Sequence, residues 1–126
     1  MKSYGVPTDT YDMEMQDHLG FRENISLDGA RRSLEVAFSH PIKLIANALG
    51  IPPKLMIELG KNNGVLVAAL VGTKDHAIKQ VEAGVDILIA AGGEAGGHCG
   101  DIATMVLVPE VIRAVRKISD VPVLAA

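Results

Sequence analysis

At 126 residues the chain has room for one modest domain, and its 48% hydrophobic content favours a buried core over disorder. A formal net charge of −3, with basic residues scattered instead of gathered in a stripe, speaks against a nucleic-acid partner. Apolar runs such as Val65 to Val71 fall far short of the roughly 20 residues of a membrane span, and the first residues lack the apolar core of a signal peptide. Cys99 is the single cysteine, so no intrachain disulfide can form, and a reducing compartment, the cytoplasm, is expected.

Residues 1–25 are polar and broken by Gly5, Pro7 and Gly20, which predicts a loop or N-terminal extension, or a weak helix around Asp12 to His18. Ser26 can cap a helix whose apolar stripe is Ala30, Leu34, Ala37 and Phe38, with Arg31, Arg32 and Glu35 in water and Pro41 ending it. Apolar runs then recur at Ile42 to Leu49, Val65 to Val71, Val85 to Ala91 and Val121 to Ala126, each joined to the next by a helix-sized segment. Continuous apolar runs, as opposed to alternating ones, are the mark of parallel strands covered on both faces. The fold class expected over 26–126 is therefore α/β with parallel βα repeats.

The connecting helices carry their own punctuation. Pro52 and Pro53 open the first, which turns Leu55, Met56 and Leu59 inward, and Gly60 closes it. Thr73 caps the second, with Ala77, Ile78 and Val81 inward and Gly84 at its end. Pro109 starts the third, with Val108, Ile112, Val115 and Ile118 on its apolar face. A four-stranded parallel sheet leaves unpaired edges, so self-association or pairing with further strands is expected.

Chemistry concentrates where the third strand runs into Gly92-Gly-Glu-Ala-Gly-Gly-His-Cys-Gly100, within a loop spanning 91–101. Strand ends of this kind hold ligands in α/β proteins, and backbone bare of side chains can approach a flat ring or an anion closely. His98 is the candidate catalytic group, since an imidazole titrates near neutrality and can move a proton; read from the residues alone, a lone histidine beside glycines is more often a structural loop residue. Cys99 and Asp101 lack a second pair of ligands at zinc-like spacing, so no metal is expected. Asn47, ending the first strand, suits either a barrel mouth or a turn.

The ordered string from Gly92 to Gly100, flanked by Ala69-Leu-Val-Gly-Thr73 and Pro122-Val-Leu-Ala-Ala126, resembles the signature of the nitronate monooxygenase family, FMN-dependent TIM barrels. The resemblance is collinear from about Ser39 to Ala126. It implies a partial, half TIM barrel corresponding to about strands four to seven of a (β/α)8 barrel, whose whole needs about 250 residues. It also implies FMN as cofactor, a small nitronate or nitroalkane as substrate and O2 as oxidant. His98 falls on the family's base or substrate-orienting histidine, and Ala91, Gly92, Gly96 and Gly97 fall on its flavin-contacting stretch. The family has a glutamine or glutamate where this chain has Ala91, and it continues beyond Ala126 into a glycine turn for the FMN phosphate; weakened FMN binding follows. Three other readings stand beside this one: an FMN-dependent enoyl-acyl-carrier-protein reductase, a non-catalytic half-barrel remnant, and a phosphate-binding barrel isomerase for which only Glu94 and Asp101 would supply acids.

Overall fold

The computed structural model describes residues 27–97 and 99–126, in two compact units that divide between His40 and Pro41. The weak helix near Asp12 to His18, the Ser26 cap and His98 all lie outside the described residues. In the first unit, α1 (Leu27–Phe38) buries Leu34 and keeps Arg31, Arg32 and Glu35 exposed. It ends where the Ser39 hydroxyl donates to the Val36 carbonyl at 2.7 Å, just short of Pro41.

The second unit alternates strand and helix: β1 (Leu44–Asn47), α2 (Lys54–Asn63), β2 (Leu66–Val71), α3 (Lys74–Ala83), β3 (Ile87–Ala90), α4 (Thr104–Val115) and β4 (Val123–Ala125). The four strands form one parallel sheet in sequence order, with Leu44 beside Leu66, Ala68 beside Ile87 and Leu88 beside Val123. The expected α/β class and parallel repeat are thus observed. Each ladder is shorter than its apolar run, because the flanking residues already turn into loops.

The two faces of the sheet are unlike. Val67, Val71, Leu88 and Ala90 point to the side on which the helices pack and are at most 2% exposed. On the other face Leu44, Leu66 and Leu124 keep 43%, 48% and 50% of their surface exposed, although all three are leucines. That face is apolar and, among the described residues of this unit, lacks a cover of helices, as the interior side of a barrel wall does.

Three helix expectations need correction. Gly60 does not close α2: the helix runs to Asn63, and Gly64, at φ +64°, caps it while the Val65 amide donates back to the Gly60 carbonyl at 2.9 Å. Gly60 is instead the point where α2 touches β2, since a Cβ there would stand 2.6 Å from Val67 Cγ2 and 2.9 Å from the Val65 carbonyl oxygen. Accordingly Met56, Ile57 and Gly60 are buried and Leu55 is not. Pro109 does not start α4 but lies inside it, and the buried face is Leu107, Val111 and Val115, with Ile112 and Ile118 exposed. An interior proline costs a helix about 3 kcal/mol, which burial of those three side chains offsets. In α3 the sheet side is Ala77 and Gln80, with Ile78 and Val81 half-buried. Its two ends match expectation: Thr73 Oγ1 accepts from the His76 amide at 3.1 Å, and Gly84 takes φ +92°.

Candidate functional site

The site is built on the exit from β3. Ala91 still runs beside β2, its amide donating to the Val71 carbonyl at 3.0 Å, and the Gly92 amide reaches the Ala126 carbonyl at 3.4 Å. There the chain leaves the sheet under a tight constraint. A Cβ on Gly92 would lie 2.5 Å from the Thr104 nitrogen and 2.7 Å from its Cα, so the loop passes against the first turn of α4 with no room for a side chain. The Gly93 amide then donates to the Ile102 carbonyl at 2.9 Å, and the Ala95 amide to the Gly92 carbonyl at 3.0 Å.

Glu94 occupies the end of α4. Ala103, in the cap position, has no side chain to offer, and Glu94 Oε2 accepts from both the Thr104 amide and the Thr104 hydroxyl, each at 2.8 Å. The Thr104 amide above all, then the Thr104 hydroxyl and the carboxylate's own backbone amide, hold its pKa below the usual carboxylate value of 4.5, against a small opposing desolvation.

Past Glu94 the loop is open. A Cβ on Gly96 or Gly97 would meet nothing within 4 Å, and Gly97 sits at φ +81°, a left-handed conformation that requires glycine. Cys99 is exposed, its thiol 3.6 Å from the Gly93 carbonyl oxygen. The returning arm crosses the end of β2 backbone to backbone, a Cβ on Gly100 being 3.3 Å from the Gly72 carbonyl oxygen. Of the expected flavin-facing residues, Gly96 and Gly97 present bare backbone, Ala91 lines a cleft, and Gly92 is turned toward Thr104.

That cleft, of about 590 Å³, lies over the C-terminal ends of β1, β2 and β3. Its walls are mostly apolar, including Leu49, Ile51, Val71 and Ile102, with Thr73, His76, Lys79 and Asp101 among the polar groups. Two of these contributors escape a reading of the sequence: the β1–α2 connection and the inner side of α3. Asn47 proves to be the turn residue, its carboxamide donating to the Leu49 and Gly50 carbonyls at 3.1 and 2.8 Å. Gln80, only 3% exposed, ties α3 to the same turn by donating to the Gly50 carbonyl at 2.7 Å, and its Oε1 has no hydrogen-bond partner among the described residues. A glutamine on the sheet side of an otherwise apolar stripe is the signal that could have flagged this link. Among the described residues no three His, Cys, Asp or Glu side chains converge as metal ligands would, and no helix is long and apolar enough to cross a membrane.

Known proteins resemble the chain in sequence and in fold. Rv1533 of Mycobacterium tuberculosis, named as a candidate monooxygenase, is 52% identical over 123 residues, covering 98% of this chain and 32% of that protein. The 5-hydroxy-7a-methyl-1-oxo-octahydro-1H-indene-4-carboxyl-CoA dehydrogenase of Rhodococcus jostii is 36% identical over 108 residues, 84% of this chain and 29% of that one. Nitroalkane oxidase from Streptomyces ansochromogenes superposes with a TM-score of 0.68 at 29% identity, over 78% of this chain and 30% of its own. The chain thus spans about a third of the length of these relatives, and its four parallel strands in sequence order are part of a TIM barrel. The family model for nitronate monooxygenase matches residues 7–126, and the chain belongs to that family.

Proposed function

We propose that the chain carries the flavin-facing segment of an FMN-dependent oxidoreductase that converts nitronates, and nitroalkanes by way of their nitronates, to carbonyl compounds and nitrite with O2. The observation that carries this reading is the open backbone of Gly96 and Gly97 at the C-terminal end of a barrel strand, inside the span that matches the family. A flat ring can lie against two residues whose Cβ positions face empty space, so the residues present fit a flavin. FMN, when bound, supplies the redox chemistry. The protein positions substrate over the mostly apolar cleft and handles the proton. His98 is assigned that proton: it takes the hydrogen from the carbon next to the nitro group, and as a cation it steadies the resulting anion. Ala91 offers no side-chain hydrogen bond to the flavin, which weakens FMN binding by about one to two decades relative to a polar residue there. The enzyme acts in the cytoplasm, and the bare sheet face is covered in the active assembly by a second copy or by further strands.

The relative named for a carboxyl-CoA substrate favours one alternative, a thioester in the same cleft, which is also where the reductase reading leads. A comparison of substrates with His98→Asn separates them. Turnover of a neutral nitroalkane should fall by about 10²–10⁴-fold, the usual share of general base catalysis, while a preformed nitronate, which needs no deprotonation, loses far less. Equal rates of wild type and variant on the neutral nitroalkane would remove His98 from the mechanism. Purified protein without yellow colour after incubation with FMN would favour the non-catalytic remnant.

A further inference from the structure

We infer that Glu94 is a positioning residue, which pins the outgoing arm of the glycine loop to the first turn of α4 and so fixes the course of the loop on both sides of position 98. The inference rests on the reading of that loop as the flavin-facing one.

A helix end is ordinarily capped by the residue that precedes it, and Ser, Thr, Asp or Asn at position 103 would have served. Here that position is alanine, and the cap comes from a carboxylate at the far end of the loop, ten residues before Thr104. A cap supplied from that distance joins two pieces of chain. Both Thr104 donors converge on one oxygen of Glu94 at 2.8 Å, and charge assistance makes such bonds about twice as strong as neutral ones. Two further ties act at the same place: Gly92 is in contact with Thr104 backbone, and the Gly93 amide donates to the Ile102 carbonyl at 2.9 Å. Residues 92–94 are thus closed against 102–104. The returning arm is held separately, by the crossing of Gly100 over Gly72 and by the Cys99 thiol near the Gly93 carbonyl. Among the described residues of the loop, Gly96 and Gly97 at the tip are left without such ties. Its placement therefore depends on the closure, and Glu94 is the one side chain in the closure that carries charge.

Hydrogen exchange and FMN titration on the whole chain test this, using Glu94→Ala, Glu94→Gln and Thr104→Val. In Glu94→Ala, exchange of the Gly93 and Ala95 amides should quicken by about tenfold and the FMN dissociation constant should rise by about the same factor, while the Leu88 amide in β3 exchanges as before. Glu94→Gln keeps an oxygen acceptor and should stay within about threefold of wild type in both readouts; Thr104→Val, losing one of two donors, should fall between. A simple contribution to fold stability would instead quicken Leu88 in step with the loop, and that result would overturn the inference. So would a loosened loop with unchanged FMN affinity. If wild type binds no FMN, the flavin reading fails, and unchanged exchange at Gly93 and Ala95 in Glu94→Ala would separately refute the closure.

Discussion

Substituting alanine for two glycines of the same loop should have opposite consequences. At Gly92 the new methyl would stand 2.5 and 2.7 Å from backbone atoms of Thr104, where carbon contacts are comfortable at about 3.5–4.0 Å. Neither neighbour is a side chain that can swing away, so the loop and the start of α4 must part by about 1 Å. Overpacking of this kind costs about 1–3 kcal/mol, against which the reduced freedom of the unfolded chain returns about 0.4–1 kcal/mol. The expected net loss is about 1–2 kcal/mol, or about 4–8 °C in Tm for a chain of this size. At Gly96 the methyl meets nothing within 4 Å and the backbone is not left-handed, so Gly96→Ala should match wild type in stability or slightly exceed it. Its effect should appear in the other assay, as a weakened FMN titration, because the methyl occupies the space proposed for the ring. Thermal unfolding and flavin fluorescence on the two variants decide the matter. A Gly92→Ala protein as stable as wild type would show that the contact with α4 is slack. A destabilised Gly96→Ala would show that the tip is packed, and the reading of Gly96 as an open flavin face would fall with it.

Pro109→Ala should raise stability by about 1–3 kcal/mol in urea unfolding, since alanine restores an amide in the middle of α4 at an exposed position; an unchanged midpoint would mean the proline is accommodated without strain. Gly60→Ala should lower stability by about 1–2 kcal/mol in the same assay despite alanine's better helix propensity, because its methyl would meet the Val65 carbonyl oxygen at 2.9 Å; a more stable variant would refute the close helix–strand contact. The lowered pKa of Glu94 means that its contribution is full above the ordinary carboxylate value of 4.5 and is lost as pH falls through its folded value. Stability of wild type should therefore drop more than that of Glu94→Gln between about pH 6 and about pH 3, and parallel curves would argue against the bonds to Thr104.

What the sequence made legible was local. Thr73 and Gly84 mark the ends of α3 because each acts on amides or carbonyls within a few residues, and the structure has both in those roles. The parallel order of strands followed from apolar runs spaced by helix-sized segments. Where the deciding contact was distant, the local pattern misled. Gly60 looks like a helix terminator, and only the approach of Val67, in the next strand, shows that it is spent on packing while Gly64 caps the helix. The start of α4 was invisible for the same reason: Ala103 carries no capping signal, the cap comes from Glu94, and Pro109 was left as the nearest marker. Starting that helix five residues late also shifted part of its apparent face by one position, to Val108 and Ile112 in place of Leu107 and Val111, while Val115 is buried as expected. In the site, the glycine string was plain, but the wall formed by Ala48 to Ile51 depends on Asn47 and Gln80 meeting at one carbonyl, and no spacing rule links those two residues.

The same contrast bears on where the loop gets its shape. Its closure uses residues 92–94 and 102–104, which belong to a single β3–loop–α4 unit, and its return arm needs only Gly72 at the end of the adjacent strand. None of these ties draws on the other face of the sheet, where Leu44, Leu66 and Leu124 are exposed. The loop's conformation is therefore set by short-range contacts inside this segment, whereas the closing of the apolar face requires surface from elsewhere. The proposed contacts to a flavin ring through Gly96 and Gly97 would depend on the first, and retention of the proposed cofactor would depend on the second. Weak FMN binding that is sensitive to Gly96 and Glu94, together with the proposed covering of the apolar face by a second copy or by further strands, is the combination the proposed function implies.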